Sequence, residues 1–271
     1  MKILKISLIL FVFATIFSCQ KEDIEVAIPK TQNQELSKEA KATLDYLLSV
    51  GYNEKDLTHD VEAKGFAYED ILYPYGFYKD IDEATPGNKN TIYNKKVTVA
   101  NSNSITYFLD STYPTTDAYV NAINWAKYYW DISSDNISIT RVYSSSQADI
   151  ICSGIHAAPK LFFAVAGYPS AGNVGGTLKV NLDNMGTDFN SNMALLMHEL
   201  GHNLGFGHAD VATPTGFEFI TNTHDSAWHV ANKCGSIMRS SVAACGWKPD
   251  GVRVWSSDDI ISINRNYTYK I

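Results

Sequence analysis

The sequence predicts an α+β fold in which helices back a sheet, and three observations carry that expectation. From about residue 96 onward, short extended stretches alternate with helical ones. One of the helical stretches, Thr116 to Trp130, repeats Ala118, Ala122, Ile123, Ala126 and Trp130 on a single face, which needs a sheet to cover it. The composition, 45% hydrophobic, 12% aromatic and 19% charged in 271 residues, suits one medium-sized globular domain with short extras and excludes disorder, collagen and coiled coil.

In order along the chain, residues 1 to 18 combine Lys2 and Lys5 with an apolar run from Ile6 to Phe17 and then Ser18 before Cys19. This is the pattern of an export signal, and the run falls short of the roughly 20 apolar residues that span a bilayer. Ile16-Phe17-Ser18-Cys19 resembles a bacterial lipobox, which implies lipidation of Cys19, a membrane anchor and a place in the outer membrane or at the cell surface. The alternative is a plain secretory signal with a chance cysteine. Gln20-Lys21-Glu22-Asp23 is similar to the tag that takes lipoproteins to the surface in some Gram-negative bacteria.

Residues 19–93 read as an N-terminal linker and possible pro-segment. Within them, Ser37 to Gly51 has helical spacing at Ala40, Leu44, Leu47 and Leu48, and Phe66 to Tyr93 is turn-rich with Pro74, Gly76, Pro86 and Gly87 as breakers. Residues 94–271 read as the catalytic domain. Lys96 to Ala100, Ser104 to Leu109, Ile137 to Tyr143, Ala148 to Ser153, Leu161 to Tyr168 and Thr177 to Leu182 look extended. Asn192 to Asn203 and Ser257 to Tyr267 look helical, the latter with Asp258 and Asp259 in its first turn, where the helix dipole favours negative charge. No repeat is visible. Lys plus Arg number 22 against 29 for Asp plus Glu, a net charge of −7, and no basic stripe could track phosphates, so nucleic acid is excluded as a partner.

The chemistry concentrates in His198-Glu199-Leu200-Gly201-His202-Asn203-Leu204-Gly205-Phe206-Gly207-His208. On a helix, His198 and His202 share a face, so two imidazoles converge on one ion. Glu199 lies about 100° round the helix from His198, where a carboxylate can take a proton from water on the metal. Gly205 ends the helix in a left-handed turn and swings His208 back as a third ligand. Three imidazoles with one open position suit catalytic zinc. Chance register of these five identities is on the order of 10⁻⁵. His59, His156, His224 and His229 are expected to be polar loop residues.

The motif His-Glu-x-x-His-x-x-Gly-x-x-His resembles the long zinc signature of the metzincin clan, and Ser236-Ile237-Met238-Arg239-Ser240 resembles its turn, with Met238 as the methionine. Ala164 to Pro169, followed by Gly175 to Val180, is similar to the clan's edge strand, loop and last strand. Within the clan, the chain resembles the bacterial dual-action HEIGH metallopeptidases, to which Gly51-Tyr52 and Tyr68-Glu69-Asp70-Ile71 are also similar. The resemblance implies a mixed, twisted five-stranded sheet backed by helices, an active-site helix and a small C-terminal subdomain with the Met turn. It implies an exported metalloendopeptidase with one Zn2+, peptide or protein substrates, and hydrolysis by zinc-bound water with Glu199 as general base. Substrate would lie as an extra strand on the edge near Ala164 to Tyr168. Ser240 replaces a Tyr found in some members, so no fifth ligand is carried over. Lys179 replaces a strand His of matrixins, so no second zinc is expected, and calcium stays open. A non-catalytic surface adhesin or binding module with a zinc site, and a zinc hydrolase of non-peptide amides, are the rival readings.

Three expectations complete the reading. The protein is expected to act as a monomer. With Cys19 lipidated and Cys152 in an apolar run, Cys234 and Cys245 are left to pair around a loop of about 12 residues, worth roughly 3 kcal/mol. The last expectation is latency. In the clan an N-terminal Cys or Asp often occupies the open metal position. Here only a carboxylate is available, and Asp70 is the candidate, against the alternative that Glu69 and Asp70 cap a surface turn.

Overall fold

The computed structural model describes residues 36–49, 51–80, 99–157 and 162–208, with Ile237, Met238, Trp255, Asp259, Ile263, Asn264 and Tyr267. All of them fall in one compact unit, Leu36–Ile271. Cys19, His224, His229, Cys234, Ser240 and Cys245 lie outside the described residues.

Helix α1 (Lys38–Ser49) opens with the Ser37 hydroxyl accepting from the Ala40 amide at 3.1 Å, and it buries Ala40, Thr43 and Leu47. A three-stranded antiparallel meander follows: β1 (Thr58–Asp60), β2 (Gly65–Tyr68) and β3 (Ile71–Pro74). Then come α2 (Val99–Ser102), β4 (Ile105–Leu109), α3 (Asp117–Ser133), β5 (Ile139–Arg141), β6 (Ile150–Ile155), β7 (Ala164–Gly167), β8 (Thr177–Asn181) and α4 (Phe189–Asn203).

One sheet holds all eight strands in the order β1-β2-β3-β7-β8-β6-β4-β5. β5, β4, β6 and β8 run parallel, β7 is antiparallel to β8, and β3 joins β7 in parallel. The sheet is therefore mixed. It differs from the five strands expected, because β1 to β3 extend it beyond β7. Their segment read as turns because Pro74 and Gly76 punctuate it, yet Phe66, Ile71, Leu72 and Tyr73 are buried, as paired strands require. Val99 and Ala100, expected to be extended, begin the short α2.

Two cores result. The larger joins the sheet to α3 and α4 through Ile123, Ala126, Trp130, Cys152, Leu178 and Met197. The Trp130 indole donates to the Met197 carbonyl at 2.9 Å, which locks the two helices together. The smaller is aromatic: Tyr52, Phe66, Tyr73, Phe77 and Tyr168 pack around Ala40 and Leu47 of α1. Cys152 is fully buried with its thiol free, and burial pushes that thiol well up. His59 is a strand residue, not a loop one. Its ring stacks on Phe66 and its Nε2 lies 2.5 Å from the Tyr75 hydroxyl. His156 meets Asp183 at 2.8 Å. Among the described residues no helix is long and apolar enough to cross a membrane.

Candidate metal centre

The site begins with α4. Asp188 caps its N-terminus, its carboxylate accepting from the Ser191 amide at 2.8 Å, so the helix starts three residues before the expected Asn192. From Asn192 to Asn203 every residue is buried, since the helix lies between the sheet and α3. Gly205, at φ +94°, ends it. The Phe206 amide returns to the Gly201 carbonyl and the Gly205 amide to the His202 carbonyl, both at 2.9 Å, which closes a left-handed cap. That reversal carries His208 back over the helix.

The three imidazoles meet at their Nε2 atoms: 2.9 Å for His198 to His202, 3.2 Å for each of them to His208. Their other nitrogens fix the tautomers. His198 Nδ1 lies 2.7 Å from the Ile237 carbonyl oxygen and His202 Nδ1 lies 2.7 Å from that of Phe206. A carbonyl only accepts, so each Nδ1 carries the proton and each Nε2 turns a lone pair inward. Burial and the neighbouring imidazoles lower His202 to about 4, which keeps it neutral.

A fourth ligand atom comes from the tight turn between β2 and β3. Asp70 carboxylate oxygens lie 3.4 Å from His198 Nε2, 3.4 Å from His202 Nε2 and 2.9 Å from His208 Nε2. Burial alone would raise the Asp70 carboxyl, but the charge of His208 and hydrogen bonds from the three rings outweigh it and hold it well below its usual range. Glu69 reaches His208 Nδ1 at 3.1 Å. Against the effect of burial, the two carboxylates raise His208 to about 10, so its proton does the work that a central cation would take over.

A metal fits this set. Four ligands held at the zinc-imidazole distance on a tetrahedron stand about 3.4 Å apart, and the six separations here run from 2.9 to 3.4 Å. All four ligand atoms lie within 4.8 Å of one another. Beside them stands Glu199, fully buried, with neither carboxylate oxygen hydrogen-bonded among the described residues. Burial first, then the Asp70 charge, raises its carboxyl well above the usual range. An unpaired buried carboxylate is costly unless something polar is meant to meet it.

Around the cluster sit groups that the sequence did not single out for these tasks. The Asn203 amide donates to the carbonyls of Gly167, Gly175 and Thr177 at 3.0, 2.9 and 2.9 Å, pinning the end of α4 to β7 and β8. Backbone acceptors leave no signature in sequence, so nothing there could have marked it. Asp259, expected to serve a helix dipole, accepts from the Ile237 amide at 3.2 Å and so steadies the carbonyl that orients His198. Met238 is fully buried against Gly201, where an added Cβ would meet its sulfur at 2.3 Å.

The sequence model of the dual-action HEIGH metallopeptidases matches residues 79–267, a span that contains all three histidines and Glu199. The chain belongs to that family. It is therefore a metallopeptidase by family, with an α+β domain, a histidine-rich site that can hold a metal ion, and protein or peptide substrates. Compared against curated proteins, it has no match. Asp70 and the β1 to β3 meander precede the matched residues.

Proposed function

We propose that this HEIGH metallopeptidase is an exported, zinc-dependent endopeptidase of metzincin type, in which His198, His202 and His208 hold the ion and Glu199 is the general base. The observation that carries it is the buried Glu199 carboxylate, without a hydrogen bond among the described residues, beside three inward-facing Nε2 atoms. Neutral nitrogen donors without thiolates favour zinc over softer or harder ions. Zinc supplies Lewis-acid chemistry, polarising a carbonyl and making water acidic enough to attack.

Glu199 takes a proton from the attacking water as its oxygen bonds to the scissile carbonyl carbon, and passes that proton to the amine nitrogen as the C–N bond breaks. His198 and His202 are kept neutral and aligned by the Ile237 and Phe206 carbonyls. The β7 edge offers its backbone to a substrate strand, a geometry that suits cleavage inside chains. Met238, packed under Gly201, supports the metzincin reading as the turn methionine. Residues 1–19 support export as a lipoprotein anchored through Cys19.

One observation favours a rival. Asp70 completes four ligands, and closed four-ligand sites are typical of structural zinc. A structural site needs no base, so Glu199 separates the two. Glu199→Ala should keep the ion and the fold and cut a denatured protein about 10² to 10⁴ times more slowly than the unsubstituted chain. Equal rates, or none in any form of the chain, would leave the non-catalytic module standing.

A further inference from the structure

Resting on that reading of the site, we propose that the N-terminal meander is a built-in inhibitor: Asp70 takes the metal position that catalysis needs open, and β3 takes the β7 edge on which a substrate strand would lie.

Both halves of the block come from one turn. β2 and β3 pair from Gly65↔Pro74 to Tyr68↔Ile71, which leaves Glu69 and Asp70 as a two-residue connection. Glu69 sits at φ +53°, a left-handed conformation that a side chain with a Cβ adopts at a cost. The strain is held by what the turn reaches: Glu69 on His208 and Asp70 on all three rings. Directly beyond it, the Ala166 and Tyr168 amides of the β7 segment donate to the Asp70 and Leu72 carbonyls at 2.9 and 2.8 Å. A substrate laid along this edge would need those same donors.

The segment is built to come away. Its aromatic core is separate from the main one and takes in only Tyr168 from the family-matched residues. Its ladder to β7 is confined to Ile71↔Ala166 and Leu72↔Gly167, whereas β6 and β8 pair along five residues from Ile151↔Thr177 to Ile155↔Asn181. A permanent ligand would be expected inside the matched residues with the histidines, and Asp70 is not. Its carboxylate also faces the side of the cluster on which Glu199 feels its charge. A competent site therefore requires Asp70 to leave.

The test uses the full chain, loaded with cobalt as a visible reporter, in three forms: unsubstituted, Asp70→Ala, and one with an engineered protease site between Asp80 and Val99, cut after folding. Acetohydroxamate, a small chelator of open metal positions, is titrated into each. The proposal expects Asp70→Ala to change the cobalt absorption and to bind acetohydroxamate at least tenfold more tightly than the unsubstituted chain. It expects the cut chain to do the same, with faster hydrogen exchange at the Ala166 and Tyr168 amides. Equal affinities and spectra across the three forms would overturn it. So would slow exchange at both amides in the cut chain together with unchanged affinity. If Asp70→Ala does not fold, the cut chain decides alone. Peptide hydrolysis is scored separately: tighter chelator binding with no cleavage by any form would sink the endopeptidase reading and leave the inhibitor standing.

Discussion

The helix that carries the histidines and the meander that carries Asp70 reach the same point by opposite means. On α4, each ligand is fixed by groups of the larger core: His198 by the Ile237 carbonyl, His202 by that of Phe206, and the helix end by the Asn203 amide. In the meander, Asp70 is delivered by a turn with Glu69 at positive φ and by a two-residue ladder to β7. A ligand held by the main core persists as long as the domain is folded. One held by a satellite core can leave without unfolding the rest, because local opening costs only the contacts that are broken.

The largest effect that could break this contrast is loss of a histidine. His202→Ala should remove about one metal ion per chain and, at metal concentrations near a thousandfold above the dissociation constant, about 4 kcal/mol of stability. Metal analysis and thermal melting check both. Retention of a full ion would mean that Asp70 and two histidines suffice, and the contrast between persistent and removable ligands would fall.

Next comes Gly201→Ala. The added Cβ meets the Met238 sulfur at 2.3 Å and its methyl at 2.8 Å, so Met238 must shift. Ile237, whose carbonyl orients His198, moves with it. Overpacking of this kind typically costs 1 to 3 kcal/mol, and metal affinity should drop alongside stability. The matched change in the meander is Tyr73→Phe, which removes the 2.9 Å hydroxyl pair between Tyr52 and Tyr73. It should cost about 1 kcal/mol at most and leave metal content as it was. Chemical denaturation with metal analysis on both variants compares the two regions directly, and a metal loss in Tyr73→Phe would show that they are not separable.

The two regions also differ in how far the sequence reveals them. The ligand helix is local information: four-residue spacing and a glycine turn place His198, His202 and His208 without knowledge of the rest of the fold, and a cap at Asp188 only moved the helix start. Asp70 could be named from the sequence as an acid among apolar residues, but its position depends on β3 pairing with β7 about a hundred residues later, which no local pattern encodes. Phe66-Ala67-Tyr68 and Ile71-Leu72-Tyr73 flanking two acidic residues do carry a hairpin signal. Pro74 and Gly76 outweighed it in a reading by composition. Pro74 is tolerated because it closes the strand.

The smallest effect belongs to the residue that the two regions share. The Tyr168 ring packs with Tyr73 and Phe77 of the satellite core, at centroid separations of 5.5 and 6.5 Å, while its hydroxyl donates to the Gly205 carbonyl at 3.0 Å in the turn that carries His208. Two substitutions divide these roles. Tyr168→Phe keeps the ring and removes one buried hydrogen bond, leaving the Gly205 carbonyl short of a donor, for a cost near 1 kcal/mol. It should loosen the His208 turn and weaken metal binding by less than tenfold, with the Ala166 amide still protected by β3. Tyr168→Ala removes the ring as well and takes away the one side chain that the meander's core borrows from the family-matched residues. Exchange at Ala166 should then quicken, and acetohydroxamate should bind more tightly than to the unsubstituted chain. If the two variants behave alike in exchange and in chelator binding, the ring does not hold the meander in place, and the grip on Asp70 must come from the β3 ladder and the ionic contacts of Glu69 and Asp70 alone.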